Sequence, residues 1–352
     1  MNTCAASAIG YACAYTPLPL LDAFGFAAHR LLPIGDWPDQ AGQLLHENLC
    51  PHVKRLLDRG LAGDLPPLAG MVFMASCDAM RRLADAWKKA RPDDRIVLVD
   101  LPVAADEHSI AFLAAELRRL AETLAEWSGR SFDPAELKRG IASYNELAAL
   151  AETLRAGLRA GTLAGGAARN QALLRLAMTR PRDEALTAFR QAAAEAPAQE
   201  TAAGAVPVLL FGNVLPDPEA LTLFESCGAR VIADDVCTGG RAFHRIEPGD
   251  FADDLHWLAR ALLTRPACAR TMDPARPGKI APDLVRAARE CGARGVIGHV
   301  LKFCDPYLAR LPAIREALRE AGLPLLLLEG DCTLGAIGQQ RTRIEAFVEM
   351  LG

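Results

Sequence analysis

Short runs rich in Val, Ile and Leu, each closed by turn residues and followed by helical periodicity, recur at both ends of this 352-residue chain. A short, continuous apolar run suits a strand buried on both faces, and parallel neighbours of that kind must be joined by helical crossovers. The N-terminal part predicts strands near 29–34, 71–75 and 96–101, with helices at 51–59 and 78–90. The C-terminal part predicts strands near 206–211, 230–234, 295–300 and 325–328, with helices at 217–227, 281–291 and 307–321. Each half should therefore hold a parallel sheet covered on both faces.

Between the halves, from about 107 to 195, Ala, Leu, Arg and Glu dominate, with apolar residues three and four apart, which predicts helices. Residues 196–204, rich in Ala, Pro, Gln and Glu, read as a linker. The expected fold is α/β: two Rossmann-like parallel-sheet domains, at 1–105 and 201–352, separated by a helical segment and linker at 106–200, with a site in the crevice between the sheets.

The 43 acidic and 39 basic residues leave a formal charge of −4 with no long run of either sign, so no footprint for nucleic acid is present. The first residues lack a basic stretch before an apolar one, and no segment approaches the ~20 apolar residues needed to span a bilayer. These features predict a cytoplasmic protein that meets neither nucleic acid nor membrane. Gly161 to Gly166 carries no Walker lysine, and no G-x-S-x-G elbow or H-E-x-x-H helix occurs, which removes ATP binding and the commonest hydrolase readings.

Ten cysteines are many for a reduced compartment, where disulfides explain little, and none of them forms a C-x-x-C pair. Any metal must therefore draw its ligands from distant parts of the chain. Cys50 precedes Pro51, Cys77 precedes the helix beginning Asp78, and Cys304 precedes Asp305-Pro306, so all three fall at predicted helix N-termini. Free N–H groups and the helix dipole there should lower thiol pKa values. Three such thiolates meeting in the crevice could hold three irons of a [4Fe-4S] cluster, while each taken alone reads first as a small core hydrophobe.

Asn48-Leu49-Cys50-Pro51-His52-Val53-Lys54 and Ser76-Cys77-Asp78-Ala79-Met80-Arg81-Arg82 resemble the N-terminal signatures of the 2-hydroxyacyl-CoA dehydratase / benzoyl-CoA reductase family. Lys302-Phe303-Cys304-Asp305-Pro306-Tyr307 and the stretch from Gly338 to Phe347 are similar to its C-terminal pair, with weaker echoes around Cys13 and Cys237. The resemblance implies an oxygen-sensitive iron–sulfur subunit in which Cys50, Cys77 and Cys304 each bind one iron of a [4Fe-4S] cluster. It further implies a second homologous subunit in a heterodimer and a separate ATP-dependent iron–sulfur activator that delivers one low-potential electron. That electron would reduce an acyl-CoA thioester to a ketyl radical, or the ring of benzoyl-CoA. Related members are homodimers with a double-cubane cluster that reduce small molecules.

Pro17-Leu18-Pro19 stands where the family usually has Pro-x-Glu, so a supporting, smaller or divergent subunit is the alternative to a catalytic one. Gln339, Arg341 and Arg343 could hold an acidic partner or CoA phosphates, or form a solvated helix face with Glu345. Lys54 and Arg81 read as surface residues and His299 as a hydrogen-bonded core histidine. Cys13 and Cys237 rank as structural with a minority chance of lying near the cluster, and Cys227, Cys268, Cys291 and Cys332 as packing.

Overall fold

The computed structural model describes the chain except for residues 1–7, 36–37, 198–203, 249–252, 274, 277 and 333–336, and the side chain of 337. The chain opens with β1 (Ala8–Tyr11), α1 (Leu18–Ala23), β2 (Ala27–Arg30), α2 (Pro51–Ala62), β3 (Gly70–Ala75), α3 (Asp78–Ala90) and β4 (Ile96–Asp100). Its four strands form one parallel sheet in the order β2-β1-β3-β4. β3 is buried at every position, as its uninterrupted GMVFMA composition requires. On α3 the apolar residues Met80, Leu83, Ala84 and Trp87 fall on one face and are buried, and Asp78 at the start with Lys88 and Lys89 at the end suit the helix dipole.

Four helices follow: α4 (Glu107–Ser128), α5 (Pro134–Ala160), α6 (Gly166–Thr179) and α7 (Arg182–Ala194). They are the expected helical segment, and they join the two halves: α5 packs on α1 and on the far sheet, and α6 touches strands of both sheets.

The second half comprises β5 (Val206–Gly212), α8 (Pro218–Ser226), β6 (Ala229–Asp235), α9 (Asp254–Thr264), α10 (Ile280–Cys291), β7 (Gly295–Leu301), α11 (Asp305–Glu320), β8 (Leu325–Gly330) and α12 (Ile337–Leu351). Its sheet is again all parallel, in the order β6-β5-β7-β8. Both sheets share one topology, so each has a switch point, between β1 and β3 and between β5 and β7. Ligands of open α/β sheets bind beyond the carboxyl ends of strands at such points.

The sequence reading placed a strand at 29–34, whereas β2 ends at Arg30, and Leu31 and Leu32 are buried beyond it. The central β1 was not foreseen. Four residues interrupted by Gly10 give little periodicity, and the bare backbone there leaves room for the Met71 and Leu68 side chains, which a Cβ would push aside. Among the described residues, no helix is long and apolar enough to cross a membrane.

Candidate functional site

Residues beyond the carboxyl ends of strands from both sheets enclose a cavity of about 110 Å³. Cys13 follows β1, Cys77 follows β3, Asn213 follows β5, Cys237 follows β6 and Cys304 follows β7, while Cys50 and Cys268 complete the wall. Six cysteines thus face one space. A water needs roughly 10–15 Å³ by the same measure, and sites for cofactor-sized organic ligands run to about 300–1,000 Å³. The cavity therefore suits a compact inorganic group and cannot enclose an acyl-CoA.

Cys50, Cys77 and Cys304 are the N-cap residues of α2, α3 and α11, as expected, and the first and last are only 8% and 9% exposed. The expected fall in their pKa is not what the surroundings produce. Burial pushes each thiol up to about 11, and the backbone N–H three residues on (Val53, Met80 and Tyr307) offsets this only partly. Desolvation of a thiolate in this cleft outweighs the helix dipole.

Asn213 serves Cys304 directly. Its Oδ1 accepts from the Leu301 N–H at 3.0 Å, which leaves Nδ2 to donate to the Cys304 sulfur at 2.9 Å. The residue before it, Gly212, has φ +154, and a Cβ there would lie 1.9 Å from the His299 carbonyl. Phe303 turns the chain into Cys304 at φ +55, a conformation that costs an aromatic residue roughly 1–3 kcal/mol.

The remaining cysteines sit among cations. Cys237 and Cys268 act on each other as a buried thiol pair, and Cys237, with help from Arg241 and Arg270, draws the Cys268 pKa down against the cost of burial. Arg241, 3% exposed, is held by a two-pronged ion pair with Asp235 at 2.6 and 2.7 Å and donates to the Tyr307 hydroxyl at 2.6 Å. Arg30 donates to the Cys237 carbonyl at 2.8 Å.

Four buried polar atoms on the cavity wall have no hydrogen-bond partner: Tyr15 Oη, Arg30 Nε, His52 Nδ1 and Arg270 Nη1. Buried polar groups are nearly always satisfied, so four orphans around one space mark a place for a hydrogen-bond-accepting, anionic group. An iron–sulfur cluster held by thiolates is such a group, its sulfides being the acceptors, and the residues fit it. Among the described residues no three His, Cys, Asp or Glu are grouped for a single metal ion. Thiolates on one ion would crowd within roughly 3.8 Å, given metal–sulfur bonds of about 2.3 Å, whereas those of a cluster go to different irons.

The family profile described as 2-hydroxyglutaryl-CoA dehydratase, D-component, matches residues 13–351. The chain belongs to this family. It is 25% identical to the (R)-phenyllactyl-CoA dehydratase beta subunit of Clostridium sporogenes, covering 98% of this chain and 91% of the relative. The lactoyl-CoA dehydratase subunit beta of Anaerotignum propionicum is 24% identical over the same shares. A benzoyl-CoA reductase subunit of Thauera aromatica is 25% identical, covering 90% of this chain and 84% of that one. Membership in this family makes the chain a dehydratase-type enzyme subunit.

Sequence reasoning missed Cys268 and Asn213 and ranked Cys237 and Cys13 low, yet all four line the cavity. Asn213 carried a weak signal, an Asn directly after a strand ending in Gly. Cys268 carried none. Pro19, read as a lost substrate-side acid, is buried within α1 with its carbonyl against Gly140 of α5, and it is not on the cavity wall.

The bland reading holds for most other residues. Arg341 pairs with Glu345 at 3.6 Å and Arg343 bonds the Leu327 carbonyl, a solvated helix face. Lys54 bonds the Glu47 carbonyl and Arg81 pairs with Asp100, both at the surface. His299 is in the core, 1% exposed, but its Nδ1 has no hydrogen-bond partner, so only half of its expectation holds. A wider groove of about 820 Å³ between α5, 243–248 and α9 shares Arg265 and Pro266 with the cavity. Its arginines Arg155, Arg260 and Arg265 are bonded to Ala242, Glu107 and Ala14 and thus serve the fold.

Proposed function

We propose that this chain is the iron–sulfur, electron-transferring subunit of a 2-hydroxyacyl-CoA dehydratase-type enzyme, with Cys50, Cys77 and Cys304 holding a [4Fe-4S] cluster. The observation that carries the reading is the convergence of three helix-cap cysteines and four unpaired polar atoms on one small cavity at the switch points of both sheets. When bound, such a cluster supplies uptake and release of one electron at low potential. The chain's own residues exclude water from it, hold the Asn213 amide against one sulfur and surround it with Arg30, Arg241 and Arg270.

A second, homologous subunit, an ATP-dependent iron–sulfur activator and an acyl-CoA thioester complete the proposed assembly. The relatives' names as beta subunits support the partner, and the cavity's small size favours a thioester bound on that partner's side. Pro19, buried against α5, agrees with a supporting role for this chain.

A second reading, a homodimeric reductase with a double-cubane cluster, has one observation in its favour: six cysteines on the wall, not three. Anaerobic purification with iron and sulfide analysis tests both. About four irons for this chain, with a homologous partner copurifying, supports the first reading; about eight supports the second, and none after careful reconstitution defeats both.

A further inference from the structure

Two arginines on the cavity wall bridge the halves of the molecule in opposite directions. Arg30, at the end of β2, reaches out of the first half and donates to the Cys237 carbonyl at 2.8 Å. Arg270, on the segment after α9, reaches out of the second half and donates to the carbonyls of Ser76 at 2.7 Å, Leu101 at 2.9 Å and Pro102 at 2.8 Å. Its guanidinium also lies 5.7 Å from the centre of the Tyr15 ring. Each arginine thus holds the backbone at or beside a wall cysteine, since Ser76 directly precedes Cys77.

Both are electrostatically incomplete. Arg241 on the same wall is paired with Asp235, but among the described residues neither Arg30 nor Arg270 pairs with a carboxylate. Their acceptors are backbone carbonyls and, for Arg30, the Met178 sulfur, which satisfy N–H groups without cancelling charge. Each arginine also keeps one buried nitrogen without a partner, Arg30 Nε and Arg270 Nη1. A buried cation without a counter-charge is costly, and here two of them meet on one small cavity.

We infer that Arg30 and Arg270 are the counter-charges of the bound group, each donating its unpaired N–H to it, and that together they set its affinity for the electron. This rests on the reading that Cys50, Cys77 and Cys304 hold a [4Fe-4S] cluster. It deepens that reading by naming the positioning residues that act on the electron. Uptake of one electron makes the bound group more negative, so fixed cations beside it favour the reduced form, with no bond made or broken.

The test is a redox titration of the full chain, prepared anaerobically with any partner that copurifies, with titanium(III) citrate as the reductant and iron counted in every sample. Arg270→Gln and Arg30→Gln each remove a charge and keep an amide donor. Each should make reduction about tenfold less favourable, which for one electron is a potential lower by about 59 mV. Arg270→Lys, which keeps the charge and loses the planar fork, should recover most of that shift. Arg155→Gln is the control. Arg155 also donates to backbone carbonyls, those of Gly239 and Ala242, but it is not on the cavity wall, so the potential should not move. If Arg30→Gln does not fold, the Arg270 variants decide the matter. If Arg270→Gln folds by circular dichroism but holds no iron, loading of Arg270→Lys supports the inference and its failure to load overturns it.

The inference is also overturned if the glutamine variants hold wild-type iron at the wild-type potential, if Arg270→Lys falls as far as Arg270→Gln, or if Arg155→Gln falls as far as either. Absence of iron from the wild type after reconstitution sinks the cluster reading itself, a result distinct from the others.

Discussion

The cavity has two unlike sides. On one, Cys50, Cys77 and Cys304 cap helices, and burial holds their thiols protonated, near pKa 11. On the other, Cys13, Cys237 and Cys268 sit on loops, and Cys237 with two arginines beside it lowers the pKa of Cys268. The contrast teaches that a helix N-terminus alone does not offset the burial of a cysteine in a dry cleft, while buried guanidinium groups and a neighbouring thiol push the pKa the other way. The helix-cap side must be deprotonated by the metal it receives, so loading should release protons and tighten as pH rises.

The largest expected effect separates the two sides. Replacing Cys50, Cys77 or Cys304 by Ser should cut bound iron by well over the roughly tenfold typical of supporting changes, whereas Cys13→Ser should leave it nearly intact. Equal losses on both sides would abolish the distinction. Next, on the loop side, Arg241→Leu removes a buried guanidinium and leaves the half-buried Asp235 carboxylate unpaired, and should cost about 3 kcal/mol of stability, read from urea unfolding.

On the helix-cap side, His299 of β7 is held near pKa 4 by burial, below its ordinary 6.5. Below pH 6.5 the unfolded chain takes up a proton that the folded chain refuses, so stability should fall from pH 6.5 to 4 and then level off. The contribution is about 3 kcal/mol for this group, and His299→Leu should flatten that part of the unfolding-versus-pH curve. The smallest effect tests the support of one sulfur. Asn213→Leu removes a hydrogen bond to Cys304 worth about 0.5–1.5 kcal/mol, which for one electron corresponds to a potential lower by roughly 20–60 mV in anaerobic redox titration. An unchanged potential would mean that the Asn213 amide does not act on the bound group.

Much of the fold could be read along the chain because its evidence is local. β3, β4, β5, β7 and β8 are apolar runs between turns, and α3 shows its buried stripe directly. The cap positions of Cys50 and Cys304 follow from the Pro at or near the helix start, and that of Cys77 from the strand end before it. β1 escaped because four residues are too few for a periodicity, and β2 was misplaced because Leu31, whose N–H makes the last bond to the Tyr11 carbonyl, and Leu32 stay buried after the strand has ended.

The sequence by itself determined two parallel α/β halves, the helices between them, the family and the three cysteines at helix starts. Those depend on side-chain spacing and on residues a few positions apart. Only the tertiary structure decided that Cys13, Cys237, Cys268 and Asn213 face the same space, that the space is too small for a coenzyme, and that burial overrides the helix dipole at the capping thiols. Each of these is set by which loops the helices joining the two sheets bring together, and by how much water that packing leaves out. Residues more than a hundred positions apart in the chain acquire those relations only once both halves are folded.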